Sequence, residues 1–242
     1  MATYLCMVAP GGVPLSFVRS FNRSPMHFLV YKPYNMLSQF SPEGNKLTLA
    51  DLPHALAKDV YPVGRLDADS EGLLLLTSDR TINHRLLDPR YAHERTYYVQ
   101  VDGAITDEAL RQLADGVTIS VDGKPHHTRP AQARRLDDEP NLPPRNPPIR
   151  YRANIPTSWI ALTLTEGKNR QVRRMTAAVG FPTLRLVRWA IGHLTAEGMQ
   201  PGEVRELPPD ELTNLLGTSR PTRTRANARP TQDLPVRPRK RR

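Results

Sequence analysis

Residues 63–79 read VGRLDADSEGLLLLTSD. Three carboxylates, Asp67, Asp69 and Glu71, stand two residues apart, behind Arg65 and ahead of four leucines. Acids at this spacing could hold calcium, flank a glycosidic bond, or supply one working carboxylate. A calcium loop needs a bidentate acid at its twelfth position to complete the ion's shell. Counted from Asp67 that position is Ser78, and leucines 73–76 offer no side-chain oxygen. A glycosidase needs two carboxylates facing each other across a sugar, about 5–10 Å apart. Alternate residues of one segment do not define that geometry, and no aromatic-rich sugar platform accompanies them. A turn whose acids merely accept backbone N–H groups is the structural alternative. Context favours chemistry at one position. Asp67 follows Gly64-Arg65-Leu66 in an irregular segment, just ahead of an apolar run typical of a strand buried on both faces. Such a place can hold one carboxylate rigidly at a cleft floor.

Residues 166–180, EGKNRQVRRMTAAVG, carry the complementary charge. Asn169 can cap a helix that ends at Gly180. Val172, Met175, Thr176 and Val179 recur at i, i+3, i+4, i+7 and predict its buried face. Arg170, Arg173 and Arg174 share a neighbouring face with no acid in the four residues that follow. With Lys168 they predict a cationic surface at a helix N-terminus, where backbone N–H groups also attract phosphate. One of these arginines could pair with a buried aspartate, because a nearby cation favours the ionised carboxylate.

The elements that must position these groups are legible in outline. Strands are predicted at 26–31, 73–77, 95–102, 158–165, 184–191 and 203–207. A short helix fits 48–56. A second, capped by Ser78 or Asp79, ends before Pro89, and a third fits 106–116, with acids in its first turn and glycine at its end. Asp122-Gly123 signals a hairpin between 117–121 and 125–136. Residues 137–150 contain five prolines and no pattern, so they form a loop. The adjacent His126 and His127 point to opposite faces of a strand and are expected at the surface. Short strands, mostly hairpin-linked, with few helices predict an α+β fold built on a mixed, mainly antiparallel sheet with flanking helices.

The chain has 242 residues and a net charge of +10, of which residues 217–242 carry +8. The tail, rich in Pro, Arg and Thr, cannot build a core. A division follows: a disordered extension at 1–25, a catalytic domain at 26–216 and a basic disordered tail at 217–242, with Met26 a sensible alternative start. The tail suggests a polyanionic partner, most often nucleic acid, or simply a solvated segment. The longest leucine run is far short of a membrane span, and residues 1–10 lack the cationic start of a secretory signal. Cys6 is the only cysteine, which excludes an intrachain disulfide and a thiolate-rich zinc site and suits the cytoplasm. No ligand cluster suggests a metal.

Three segments, GRLDADSEGLLLLT at 64–77, RTYYV at 95–99 and EGKNRQVRRM at 166–175, resemble the signature motifs of pseudouridine synthases, in that family's order. They are most similar to the branch that includes the 16S enzyme of the small ribosomal subunit and the B, E and F enzymes of the large one. The resemblance runs from about Phe28 to Glu206 and leaves too few residues before Met26 for an S4-type RNA-binding module. It implies an rRNA pseudouridine synthase, acting on 23S rRNA or a ribosomal precursor particle, with no cofactor and no metal; a monomer is the default expectation. It implies Asp67 as the catalytic aspartate and Tyr97 as the residue that stacks on the target base. It places Arg65 where the flipped nucleotide is held out of the helix, and Arg173, or its neighbour Arg174, where a basic residue pairs with the aspartate. Arg95, standing where lysine is more usual, keeps a phosphate contact, and Lys168 and Arg170 are expected on RNA phosphates. A noncatalytic RNA-binding assembly factor on the same fold would keep the arginines and Tyr97 but could dispense with Asp67. An unrelated basic protein would rest on charge alone, most of which lies in the tail.

Overall fold

The computed structural model describes residues 25–149 and 155–217. Apart from Pro25 and Gly217, the latter the last residue of a helix, the predicted N-terminal extension and basic tail lie outside them. Among the described residues no helix is long and apolar enough to cross a membrane.

The four leucines of β3 (Glu71–Thr77) set the centre of the fold. Every residue of this strand is buried. Its alternating side chains feed two separate cores. Leu73 and Leu75 pack with Leu29, Tyr31, Ile82 and Leu215. Leu74 and Leu76 pack with Phe28, Val30, Met36 and Leu49. β1 (His27–Lys32) lies antiparallel beside β3, with Val30 opposite Leu74. On its other side β3 runs parallel to β9 (Thr183–Ile191), in register at Glu71–Val187 and Gly72–Arg188. A side chain at Gly72 is impossible there, since its Cβ would sit 2.4 Å from the Arg188 carbonyl oxygen.

The sheet continues through β4 (Arg95–Asp102), β8 (Thr157–Leu164) and β7 (Gln132–Arg135), all antiparallel. β11 (Val204–Glu206) closes the opposite edge, and β2 (Tyr61–Pro62) and β10 (Leu194–Thr195) pair with β3 and β9. A third core lies between β4, β8, β9 and two helices, α2 (Asp107–Asp115) and α3 (Gln171–Ala178). α1 (Arg80–Leu87), capped by Asp79, and α4 (Pro209–Gly217) cover the first core. This is the expected α+β class with a mixed, mainly antiparallel sheet.

Local expectations hold where one segment contains its own signals. Thr106 and Gly116 cap α2. The Asp122-Gly123 turn, with both residues at positive φ, joins β5 (Thr118–Val121) to β6 (Lys124–His127). The second arm of that hairpin, expected to run through 136, is instead broken at 128–131. Thr128 is buried, its hydroxyl accepts from Val117 N, and Ala131 N donates to Ala114 O. The chain then leaves the hairpin for the large sheet as β7. The predicted helix at 48–56 is only a 3-10 turn, Leu49–Asp51, closed by a Thr48–Asp51 capping box. α4 and β10 have no counterpart among the predicted elements.

Candidate active site

Asp67 sits in a turn gripped from several directions. Ser38, itself buried, donates its hydroxyl to Leu66 O at 2.8 Å and accepts from Leu66 N at 3.0 Å. Ala68 O accepts from Asn35 N at 2.8 Å and from Lys32 Nζ at 3.3 Å. Ser70 N donates to Asp67 O at 3.0 Å. The residues on both sides of Asp67 are therefore fixed, so its carboxylate is held without being consumed by backbone contacts. Lys32 is fully buried, and its ammonium is spread over the carbonyls of Pro33, Met36 and Ala68. Burial pushes its pKa down to about 7, against the pull of Glu71, Asp69 and Asp67.

The three acids have three different fates. Glu71, 2% exposed, receives both arms of Arg185, Nε and Nη2, at 2.9 Å each. Asp69 binds the helix side of the cleft: Arg170 Nη1 and Nη2 donate to its two oxygens at 3.1 and 2.8 Å, and Arg173 Nε stands 3.3 Å away. Burial alone would raise the Asp69 pKa, but the Arg170 hydrogen bond and the charges of Arg173 and Arg170 bring it below its ordinary value. Among the described residues Asp67 has one ion-pair partner, Arg170 Nη1 at the long distance of 3.7 Å, and its side chain is 35% exposed.

This corrects the expected pairing of Arg173 with Asp67. Arg173 Nη2 donates to Asp69 O at 2.7 Å, so both its contacts fall on Asp69. The tight 67–70 turn presents Asp69 toward α3 and leaves Asp67 toward the cleft. Arg174 does not reach the cleft either. It donates to Asn169 Oδ1 at 3.0 Å and to the Ser120 carbonyl, tying α3 to β5. Asn169 is thereby occupied and does not cap the helix. The cap position falls on Arg170, at φ +50, and Gln171 Oε1 accepts from Lys168 N at 2.8 Å instead. The arginine face, which has no acid nearby in sequence, finds its counter-charge in Asp69, a hundred residues away.

Asp67 opens into a cleft of about 670 Å³. Tyr97, Arg65, Arg95, Lys168 and Arg170 line it too. The structure thus brings six of the predicted site residues together. Arg95 is anchored by donating from Nη2 to Leu86 O at 2.8 Å.

Several residues of the cleft wall escaped sequence reasoning. Glu166, 6% exposed, accepts from Gln171 Nε2 at 2.8 Å and Arg129 N at 2.9 Å, with His126 Nε2 at 3.2 Å. Burial would raise its pKa, and these hydrogen bonds outweigh burial and lower it. His126, expected at the surface, is thus half-buried against the cleft, while its neighbour His127 stays exposed at the rim. Arg188 also lines the cleft and is buried. An arginine inside the apolar run LRLVRWAI was the one available signal for it.

The family model described as RNA pseudouridylate synthase matches residues 26–178. A protein of Xanthomonas axonopodis pv. citri named ribosomal large subunit pseudouridine synthase E is 54% identical over 178 residues, 73% of this chain and 90% of that one. Ribosomal large subunit pseudouridine synthase B of Bacillus subtilis is 36% identical over 191 residues, 79% of this chain and 71% of that one. A crystal structure of a pseudouridylate synthase superposes with a TM-score of 0.66 at 28% identity, covering 81% of this chain and 75% of that one. With most of its length matched by that model and that relative, the chain belongs to the RNA pseudouridylate synthase family.

Proposed function

We propose that this protein isomerises a uridine of ribosomal RNA, in the 23S molecule, to pseudouridine, and that Asp67 is the residue that acts on the nucleotide. The observation that carries this is the held but uncommitted carboxylate of Asp67 at a cleft that also contains Tyr97 and a cationic rim. The relatives named as enzymes of the large ribosomal subunit support the substrate.

The chemistry requires the target base outside its stack, because C1′ and C5 are inaccessible within a helix. Unstacking costs a few kcal/mol, part of which an aromatic ring such as Tyr97 returns by stacking on the base. Arg65, exposed at the cleft rim, is placed to hold the nucleotide out. Lys168, Arg170 and Arg95 take phosphates. Asp67 then attacks C1′ or removes the C2′ proton, and on either route the N1–C1′ bond breaks. The uracil turns and C5 bonds to C1′. Neither route requires a metal or a redox cofactor. Arg170 is the cation nearest Asp67, while Arg173 acts through Asp69 to fix the turn. The working unit is the domain at 26–216, acting as a monomer in the cytoplasm, with the basic tail adding affinity for RNA.

Cells lacking this chain should lose one or a few pseudouridines from 23S rRNA. Wild-type protein should restore them and Asp67→Asn should not. An unchanged pseudouridine map in the deletion strain would instead support a binding factor on the same fold.

A further inference from the structure

β9 carries two buried arginines, Arg185 and Arg188, 7% and 5% exposed. Arg185 has the carboxylate of Glu71. Arg188 has no ion pair among the described residues. Its Nε donates to Leu73 O at 2.7 Å. Its Nη2 is buried with no hydrogen-bond partner among the described residues. A guanidinium cannot shed its proton at neutral pH, so this is a desolvated cation with an unused donor. Leaving such a group unsatisfied is costly, unless something that binds the cleft completes it.

Position decides what that something is. Phosphates remain near the solvent side of a bound RNA, where Arg65, Lys168 and Arg170 are exposed. Arg188 lies deeper, in the sheet, opposite Tyr97 in the β4–β9 register and opposite Gly72 in the β3–β9 register. The part of a flipped nucleotide that goes deepest is its base. Tyr97 and Arg188 share one face of the sheet at adjacent positions, so a base lying against the Tyr97 ring brings a carbonyl edge to the guanidinium.

We propose that Arg188 is a further catalytic residue, whose free Nη2 hydrogen-bonds a carbonyl oxygen of the flipped uracil and stabilises the base as an anion when the glycosidic bond breaks. The inference rests on the pseudouridine synthase reading. When N1–C1′ breaks, its electron pair stays on the uracil and spreads over N1, O2 and O4. The ring then turns and C5 gives a pair to C1′. The C5 proton leaves and N1 gains one, so charge and protons balance. A cation already desolvated and fixed by Leu73 O is worth most at the step where negative charge develops. This holds whether Asp67 attacks C1′ or removes the C2′ proton, since uracil departs with the pair in both.

Single-turnover conversion of RNA carrying uridine or 5-fluorouridine tests this, followed as cleavage of the glycosidic bond in wild type, Arg188→Gln and Arg188→Lys. With uridine, Arg188→Gln should slow the step about 10²- to 10³-fold while the RNA Kd changes little, and Arg188→Lys should recover part of the loss. With 5-fluorouridine, whose base leaves more readily as an anion, the Arg188→Gln deficit should shrink. An equal deficit on both RNAs would reduce Arg188 to a structural role, and a loss confined to Kd would make it a phosphate contact. Either overturns the proposal. A structure of the wild-type protein with the 5-fluorouridine RNA needs no variant: Nη2 should lie about 3 Å from O2 or O4, and an Nη2 facing no base atom would overturn the proposal. Failure of the wild type to convert either RNA would instead refute the underlying enzymatic reading.

Discussion

The two ends of one short segment use the same chemical group in opposite ways. Glu71 starts a buried strand, is satisfied by both arms of Arg185 and is closed to solvent. Asp67, four residues earlier, lies in a turn fixed through its neighbours' backbone and keeps its carboxylate uncommitted in the cleft. The two arginines of β9 repeat the contrast, since Arg185 is paired and Arg188 keeps a donor unused among the described residues. Paired charges build the frame, and unpaired ones face the place where a substrate goes. A buried ion pair is itself weak evidence for function. A rigidly held charge without a close partner is stronger evidence, because the fold bears its cost without a structural return.

The contrast can be broken by exchanging fates. The largest expected effect is chemical: Asp67→Asn should lower single-turnover conversion by about 10⁴-fold, with RNA affinity and melting temperature nearly unchanged. Glu71→Gln should do the reverse. Removing one partner of a buried pair costs about 3–5 kcal/mol, read in denaturant unfolding, while activity per folded molecule persists. An activity loss in Glu71→Gln without destabilisation would contradict the division.

Asp69 lies between the two. Asp69→Asn should slow turnover about tenfold by loosening the turn. Its effect on stability should depend on pH, because the folded-state pKa of Asp69 is lowered. A lowered acid contributes stability above its unfolded value of about 4 and loses it as the pH falls through the folded value. Wild type and Asp69→Asn should therefore differ most near neutrality and converge in acid, as measured by melting temperature across pH. The smallest effect on chemistry should follow deletion of residues 218–242. RNA binding should weaken, and its salt dependence should flatten as the tail's phosphate contacts are lost, with turnover on saturating RNA unchanged.

The sequence revealed what local signals encode. The leucine run predicted β3, the cap and glycine predicted α2, and Asp122-Gly123 predicted the hairpin turn. The position of Asp67, between an irregular segment and a buried strand, showed that a carboxylate could be held there, and the motif's resemblance to the family made Asp67 the working candidate. Partners were harder to read. Arg173 and Asp69 are 104 residues apart, and which acid an arginine meets depends on how the 67–70 turn aims its side chains. Asn169 looked like a cap by residue type, yet Arg174 takes its oxygen. The roles of Arg188 and Glu166 exist only once β3, β4, β9 and the hairpin are assembled. α4 went unread because its amphipathic pattern is short and runs into the basic tail.

The central claim is that one acid of three does the chemistry. Its most direct test is tritium release from rRNA labelled at uracil C5, because joining C5 to C1′ must expel that label. Wild type should release it, Asp69→Asn should release it more slowly, and Asp67→Asn should release none while still binding the RNA. Release by Asp67→Asn at the wild-type rate would contradict the account.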